Sequence, residues 1–95
     1  MEKYLFVVGA SANMEPTLLS GDEIACIKTD FEQLKRYGGC IHYIKFTDGT
    51  ITIKRAIDQG DSVLIKGDAT GIKQAIPKKY IKEIYRVIAS ARLYE

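Results

Sequence analysis

A polar loop near the start of the chain holds the residues best suited to nucleophilic chemistry. It runs from Gly9 to Thr17, contains Ser11 and Asn13, and leads into a turn that Pro16 can initiate. A tight loop of this kind can present a small side chain and bare backbone amides to a cleft, as nucleophilic attack and oxyanion stabilisation require. The same residue types also build an ordinary turn. Taken alone, the loop leaves both interpretations open.

A lysine on a predicted strand is the second candidate for chemistry. Asp48-Gly49 lies between two alternating runs and predicts a hairpin closed by a two-residue type I′ turn. The register of such a turn sets Tyr43 opposite Lys54. It also predicts one shared core face for four apolar side chains: Ile44, Phe46, Ile51 and Ile53. Spacing alone indicates a solvated surface charge at Lys54, because strand lysines are mostly exposed.

The elements that must position these residues are predicted to be mainly strands. Alternating patterns bounded by glycines predict strands at Tyr4–Val8, 22–28 and Ser62–Lys66. Asp30 can cap a short helix that ends near Gly38, with Gln33 three residues on as in a capping box. The run from 80 to 94 fits a strand or a helix by its pattern.

Length and composition predict one globular domain over residues 1–95. The chain is 46% hydrophobic and 27% charged, far from the composition of a disordered protein. Its formal net charge of +2 is too small to indicate a dedicated nucleic-acid binder. The apolar stretch near the start is too short to span a bilayer, so no membrane attachment is predicted.

The cysteines and the single histidine do not form a metal site by spacing. Cys26 and Cys40 fit neither a disulfide framework nor a zinc motif, and His42 is the only imidazole. We interpret both cysteines as buried thiols in the cytoplasm, and we predict neither a metal nor a cofactor. His42 alternates onto the core side of the hairpin near Arg55, where a structural role is favoured over a catalytic one.

The order of several motifs resembles a known family. Met14-Glu15-Pro16-Thr17 is followed by Gly21-Asp22 and by a hairpin whose second strand ends in Ile53-Lys54-Arg55. In this order they are similar to the carboxy-terminal domain of the self-cleaving serine peptidases that include LexA, UmuD and phage repressors. The resemblance spans roughly residues 4–91. It implies a compact, antiparallel, LexA-like or signal-peptidase-like β-domain with one or two short helical turns, and it favours a strand for the last run.

The resemblance also implies roles for individual residues. The family uses a Ser-Lys dyad, in which Lys54 takes the general-base position and Arg55 completes the Lys-Arg pair. Such a base must be neutral, and burial beside an aromatic group, here Tyr43, disfavours the ammonium form. The residue before Met14 is the family's nucleophile, and here it is Asn13, whose amide cannot replace an activated hydroxyl. Ser11 is the alternative nucleophile if the loop carries an insertion.

These assignments predict a peptidase-like domain without self-cleavage. It would serve as the dimerisation and regulatory domain of a phage-type or stress-response (SOS-type) transcriptional repressor, a homodimer that contacts DNA only through a domain outside this chain. The family cuts an Ala-Gly or Cys-Gly bond, and neither dipeptide occurs here. In an active form, Ser11 and Lys54 would act on a peptide segment of the same chain.

A binding module is the alternative from a different class. Lys78, Lys79 and Lys82 form a small basic cluster near the last predicted strand. Together with the six tyrosines, this cluster could hold nucleic acid or a peptide strand on a small β-barrel. The same lysines are explained equally simply as solvent-exposed charges at the start of a strand.

Overall fold

One antiparallel sheet forms the body of the protein. The computed structural model describes residues 3–8 and 23–91. Its strands are β1 (Tyr4–Val8), β2 (Glu23–Thr29), β3 (Ile41–Phe46), β4 (Ile51–Asp58), β5 (Ser62–Lys66), β6 (Lys73–Pro77) and β7 (Ile81–Ala91). A short helix, α1 (Phe31–Arg36), joins β2 to β3, and a 3₁₀ turn (Lys78–Tyr80) precedes β7. The spatial order is β1-β2-β7-β3-β4-β5-β6. The predicted mainly-β antiparallel class is confirmed.

Local sequence accounts for the helix and for most strand boundaries. The Asp30 carboxylate accepts a hydrogen bond from the backbone N–H of Gln33 at 2.8 Å, as predicted for the cap of α1. The strands predicted at the start of the chain and at Ser62–Lys66 are confirmed. The last run is a strand, β7. The sequence did not predict β6, which is short and mostly exposed.

The β3–β4 hairpin has a different turn from the predicted one. The backbone N–H of Gly49 donates to the carbonyl of Phe46 at 3.0 Å, and the N–H of Phe46 donates to the carbonyl of Thr50 at 2.9 Å. Only Gly49 of this loop has a positive φ, +90°. The loop is therefore a three-residue type I turn with a glycine bulge, so the predicted two-residue type I′ turn is wrong.

The extra loop residue shifts the register by one position. Tyr43 pairs with Ile53, and Lys54 pairs with His42. The predicted pairing of Tyr43 with Lys54 is therefore wrong, as is the proximity of His42 to Arg55 as its strand partner. Because neighbouring residues of a strand face opposite sides, Tyr43 and Lys54 lie on opposite faces of the sheet. The predicted shared core face of the hairpin is also wrong.

Apolar side chains are buried on both faces of the sheet. The first core consists of Ile24, Cys26, Tyr43, Ile53 and Tyr85. The second core, which α1 covers, consists of Leu34, Ile44, Ala56, Val63, Ile65 and Ile84. Tyr43 and Ile44 are neighbours on β3 and enter different cores, as do Ile84 and Tyr85 on β7. Because both faces of the sheet are buried here, consecutive residues in the middle of β3 and β7 are apolar rather than alternating with polar ones.

Both cysteines are free thiols. Cys26 is fully buried in the first core, and burial raises its pKa to about 11, so its reactive thiolate form is scarce at neutral pH. Cys40 is only partly buried. The prediction of two buried thiols is confirmed for Cys26 alone.

Candidate functional site

The segment with the predicted nucleophile lies outside the described residues. It includes Ser11, Asn13, Met14-Glu15-Pro16-Thr17 and Gly21-Asp22. The residues on either side of it are described, because β1 ends at Val8 and β2 begins at Glu23. These two residues pair with each other. The segment therefore leaves and re-enters the sheet at the same end of the β1–β2 pair.

Lys54 lies in a row of residues that crosses four strands. Ile27 on β2 pairs with Arg86 on β7, Arg86 pairs with His42 on β3, and His42 pairs with Lys54 on β4. Directly paired residues share a face, so we call these four residues the Lys54 row. The Lys54 side chain is half-buried, on the same face as the second core. A histidine, rather than a tyrosine, is thus the strand partner of the predicted base position, and Arg86 lies one strand further along the row.

His42 is the most deeply buried polar side chain of the Lys54 row. Its exposure is 0%, and its Nδ1 lies 2.7 Å from the carbonyl oxygen of Cys40. Since a carbonyl only accepts, Nδ1 carries the proton and Nε2 is left as an acceptor. Nε2 has no hydrogen-bond partner among residues 3–8 and 23–91. Burial, reinforced by the positive charge of Arg86, lowers the pKa of His42, although the bond to Cys40 opposes this shift.

Arg86, the member of the row between Ile27 and His42, lies against an aromatic ring. Its guanidinium carbon is 4.0 Å from the ring centroid of Tyr37, the residue that follows α1. An arginine stacked in this way is held in place while its edge N–H groups stay available. An arginine inside the apolar run from Ile84 to Ile88 is the sequence signal that could have identified this position.

Arg55, the second residue of the Lys-Arg pair, has a structural role. Its Nε and Nη2 donate to the two carboxylate oxygens of Asp68 at 2.8 and 3.0 Å, and its Nη1 donates to the carbonyl of Gly39 at 3.1 Å. This bidentate pair joins β4 to two loops. The bond to Asp68 raises the pKa of Arg55, so the guanidinium stays charged. Because it alternates with Lys54 on β4, it faces the opposite side of the sheet.

Tyr43 packs in the first core, away from Lys54. Its ring meets that of Tyr85 edge to face, with centroids 5.8 Å apart and an interplanar angle of 86°. The Tyr85 hydroxyl donates to Glu83 at 3.0 Å, and Lys28 lies 3.6 Å from the same carboxylate. Burial raises the pKa of Tyr43. Its predicted support of the lysine base is therefore wrong.

The predicted basic cluster is largely engaged within the protein. The Lys78 Nζ lies 2.6 Å from an Asp58 carboxylate oxygen and 4.8 Å from the ring centroid of Phe31. This contact lowers the pKa of Asp58. Lys79 lies over the ring of Tyr80 at 5.2 Å. Only Lys82 of the three lacks a described pairing of this kind, which weakens the cluster as a binding surface.

A cavity of about 660 Å³ opens beside the Lys54 row. Its wall is formed by the end of β2, by one side of α1 and by Arg86 with the Tyr37 ring beneath it. The residues that define it are Ile27, Asp30, Gln33, Arg36, Tyr37 and Arg86. Within the described ranges, no group of three or more His, Cys, Asp or Glu side chains is arranged to hold a metal ion.

No protein-family model, curated protein or solved structure matches the chain. Among the residues that the structure describes, no helix has the length and apolar character needed to cross a bilayer.

Proposed function

We propose that the chain is a LexA-like peptidase domain that has lost self-cleavage and acts as the dimerisation and regulatory domain of a phage-type or stress-response repressor. The observation that carries the proposal is the order of its motifs, from Met14-Glu15-Pro16-Thr17 through Gly21-Asp22 to Lys54-Arg55. Asn13 in the nucleophile position accounts for the loss of cleavage. Two free cysteines favour the reducing cytoplasm as its compartment.

The setting of Lys54 is compatible with a retained base position. The lysine lies on the second strand of a hairpin, as the resemblance implies, and its side chain is half-buried. Its strand neighbour His42 is fully buried, and Ala56 two residues along β4 belongs to the second core. Both of these neighbours are buried, so Lys54 does not lie on a fully open surface.

The peptidase part of the proposal is tested by restoring the nucleophile. A fluorophosphonate labels only an activated serine, so labelling at mildly alkaline pH can be read from the intact mass. We expect no labelling of the natural chain, labelling of Asn13→Ser, and none of Asn13→Ser combined with Lys54→Met. Lys45→Met in the Asn13→Ser background is the matched control and should leave labelling intact.

Two other outcomes would contradict this proposal. Labelling of the natural chain that disappears in Ser11→Ala would identify an active Ser-Lys peptidase with a displaced serine. Asn13→Ser that folds normally and stays unlabelled would remove the peptidase assignment altogether.

Exposed apolar side chains supply a surface for the proposed homodimer. Phe6 is 69% exposed and pairs with Ala25, which in turn pairs with Ala89. Ala89 is itself exposed, so the three paired side chains form one apolar patch. A twofold pair of chains would bury this patch against itself and bring two DNA-binding domains to two half-sites.

Sedimentation analysis tests the dimer. The natural chain should sediment as a dimer at micromolar concentration, and Phe6→Glu should sediment as a monomer because a charge in the patch would be buried unpaired. Ile72→Glu is the control, since Ile72 is equally exposed at 69% but lies outside the patch. A monomeric natural chain, or equal loss of the dimer in both variants, would contradict the assignment.

A further inference from the structure

We propose that the cavity beside the Lys54 row is a binding site for a phosphate group, with Arg86 and Arg36 as its principal ligands. The cavity lies between the polar side of α1 and the β2–β7 pair. Nothing in the peptidase proposal uses it, and the two proposals can fail independently.

Among the described residues, four cationic side chains line the cavity: Lys3, Lys28, Arg36 and Arg86. The ammonium group of Lys28 is held 3.6 Å from Glu83 and 4.9 Å from the ring centroid of Tyr85, and Lys3 interacts with the same two side chains. The two guanidinium groups are therefore the least compensated charges of the cavity. Asp30 is the one carboxylate among the described residues of the wall, and one of its oxygens accepts the capping bond of α1. An anion entering the cavity therefore meets Arg36 and Arg86 with little competition from acidic groups.

Among residues 3–8 and 23–91, Arg86 is held in place without a carboxylate partner. Elsewhere in the described part of the chain, Arg55, Lys28, Lys35 and Lys78 each pair with an acidic side chain. Neither Arg86 nor Arg36 makes an ion pair or a side-chain hydrogen bond within residues 3–8 and 23–91. Stacking on Tyr37 orders the flat face of the Arg86 guanidinium. The unpaired edge donors then match the geometry of phosphate oxygens, which arginine binds bidentately.

His42 provides a reporter of binding, because it neighbours Arg86 although it does not line the cavity. It is the direct strand partner of Arg86, it is fully buried, and its Nε2 is without a partner among the described residues. The positive charge of Arg86 acts against protonation of the ring. A bound phosphate would offset that charge, so His42 should become easier to protonate. The chain has one histidine, so its imidazole signal in an NMR spectrum is unambiguous.

The size of the cavity fits a phosphate ester. Its volume of about 660 Å³ lies within the range of small-molecule sites, roughly 300 to 1,000 Å³. The same phosphate chemistry occurs in a free nucleotide and in the backbone of a single-stranded nucleic acid. The experiment therefore uses inorganic phosphate, adenosine monophosphate and a short oligothymidylate as separate probes.

Each probe is titrated into the full chain while its affinity and the His42 imidazole signal are followed. We expect saturable binding that moves the His42 signal and raises its pKa. Arg36→Gln should weaken binding by about tenfold, because it removes a charged hydrogen bond on the exposed rim of the cavity without disturbing the core. Arg86→Gln should weaken it at least as much. Lys79→Gln carries the same charge change outside the cavity and should leave affinity within about twofold.

The outcomes show which kind of molecule supplies the phosphate group, and they show whether the proposed site exists. Binding of phosphate and the mononucleotide identifies a small ester, whereas arginine-dependent binding of the oligonucleotide alone identifies a nucleic-acid backbone. The absence of binding by all three probes, an unmoved His42 signal, or an equal loss in Lys79→Gln and Arg36→Gln would overturn the site. Because Arg36 is exposed, its variant keeps the test valid even if Arg86→Gln fails to fold.

Discussion

At the scale of single residues, His42 is an unusual side chain to bury. Its Nδ1 is satisfied by the Cys40 carbonyl, but its Nε2 lacks a partner in the described part of the chain. A buried polar atom without a partner costs free energy, on the order of 1–3 kcal/mol. The neutral ring tolerates this position better than the imidazolium, because burial disfavours the charged form and Arg86 lies next to the ring on β7. The histidine thus links the stability of the fold to pH.

We expect acid to destabilise the protein partly through His42. Its pKa in the folded chain lies below the ordinary value of 6.5, so below that pH the unfolded chain binds a proton that the folded chain excludes. The free energy of unfolding should therefore be at its full value above pH 6.5 and should fall as the pH decreases towards the folded-state pKa. Urea denaturation between pH 5 and 7 measures this slope.

The control for this prediction is His42→Gln. The variant lacks the titrating ring, so its free energy of unfolding should depend less on pH over the same interval, whatever its absolute stability. Equal slopes in the two proteins would show that His42 is not the group responsible.

At the scale of elements, the β3–β4 turn decides which residues meet across the hairpin. The Asp48 carboxylate accepts hydrogen bonds from both the backbone N–H and the hydroxyl of Thr50, at 2.9 and 2.6 Å. These bonds lower the pKa of Asp48 and draw Thr50 towards the turn. Gly49 then takes the positive φ that closes the loop. With the observed three-residue loop, Lys54 pairs with His42. A two-residue loop would have paired Lys54 with Tyr43 instead.

Gly49→Ala should destabilise the protein by about 1 kcal/mol, since a Cβ at a φ of +90° is strained whatever the space around it. Gly38→Ala is the matched control. A Cβ at Gly38 would meet the Leu34 carbonyl oxygen at 3.7 Å and the Ile57 Cγ2 at 3.9 Å, which are ordinary contacts. Denaturant unfolding measures the stability of both variants. A loss of stability in Gly38→Ala as large as that in Gly49→Ala would contradict the turn geometry.

Periodicity and capping predicted the elements well, but not how they pair. Alternation identified β1 and β5, and the Asp30 cap identified α1, because these signals are local in sequence. The register depended on a side-chain bond from Asp48 to Thr50 that competes with the two-residue turn. The row that joins Lys54, His42 and Arg86 depends on that register and on the pairing of β7 with β3. Both are contacts between distant parts of the chain, so local sequence patterns could not predict them.

At the scale of the whole molecule, two cores share one sheet. β3 and β7 contribute side chains to both, since Tyr43 and Tyr85 belong to the first core while Ile44 and Ile84 belong to the second. β7 is also paired on both sides, with β2 and with β3. Loss of either core would therefore expose the strands on which the other depends. This arrangement favours a single cooperative unfolding transition.

Hydrogen exchange should follow this arrangement. The slowest amides should lie in β3 and in the part of β7 near Ile84 and Tyr85, whose strands are covered on both faces. The amides of β6 should exchange faster, because it is an edge strand with mostly exposed residues. Residue-resolved exchange measured by NMR checks the order. Protection in β6 equal to that in β7 would contradict the shared-sheet interpretation.

The composition of β6 has a consequence for assembly. This edge strand begins with Lys73 and ends with Pro77, and Lys73 lies opposite Lys66 of β5. An incoming strand would have to place itself beside a charged side chain at one end and an imino acid with no N–H at the other, and both discourage further pairing. On this side the sheet is protected against growth into fibres, so concentrated solutions of the folded protein should resist polymerisation through β6.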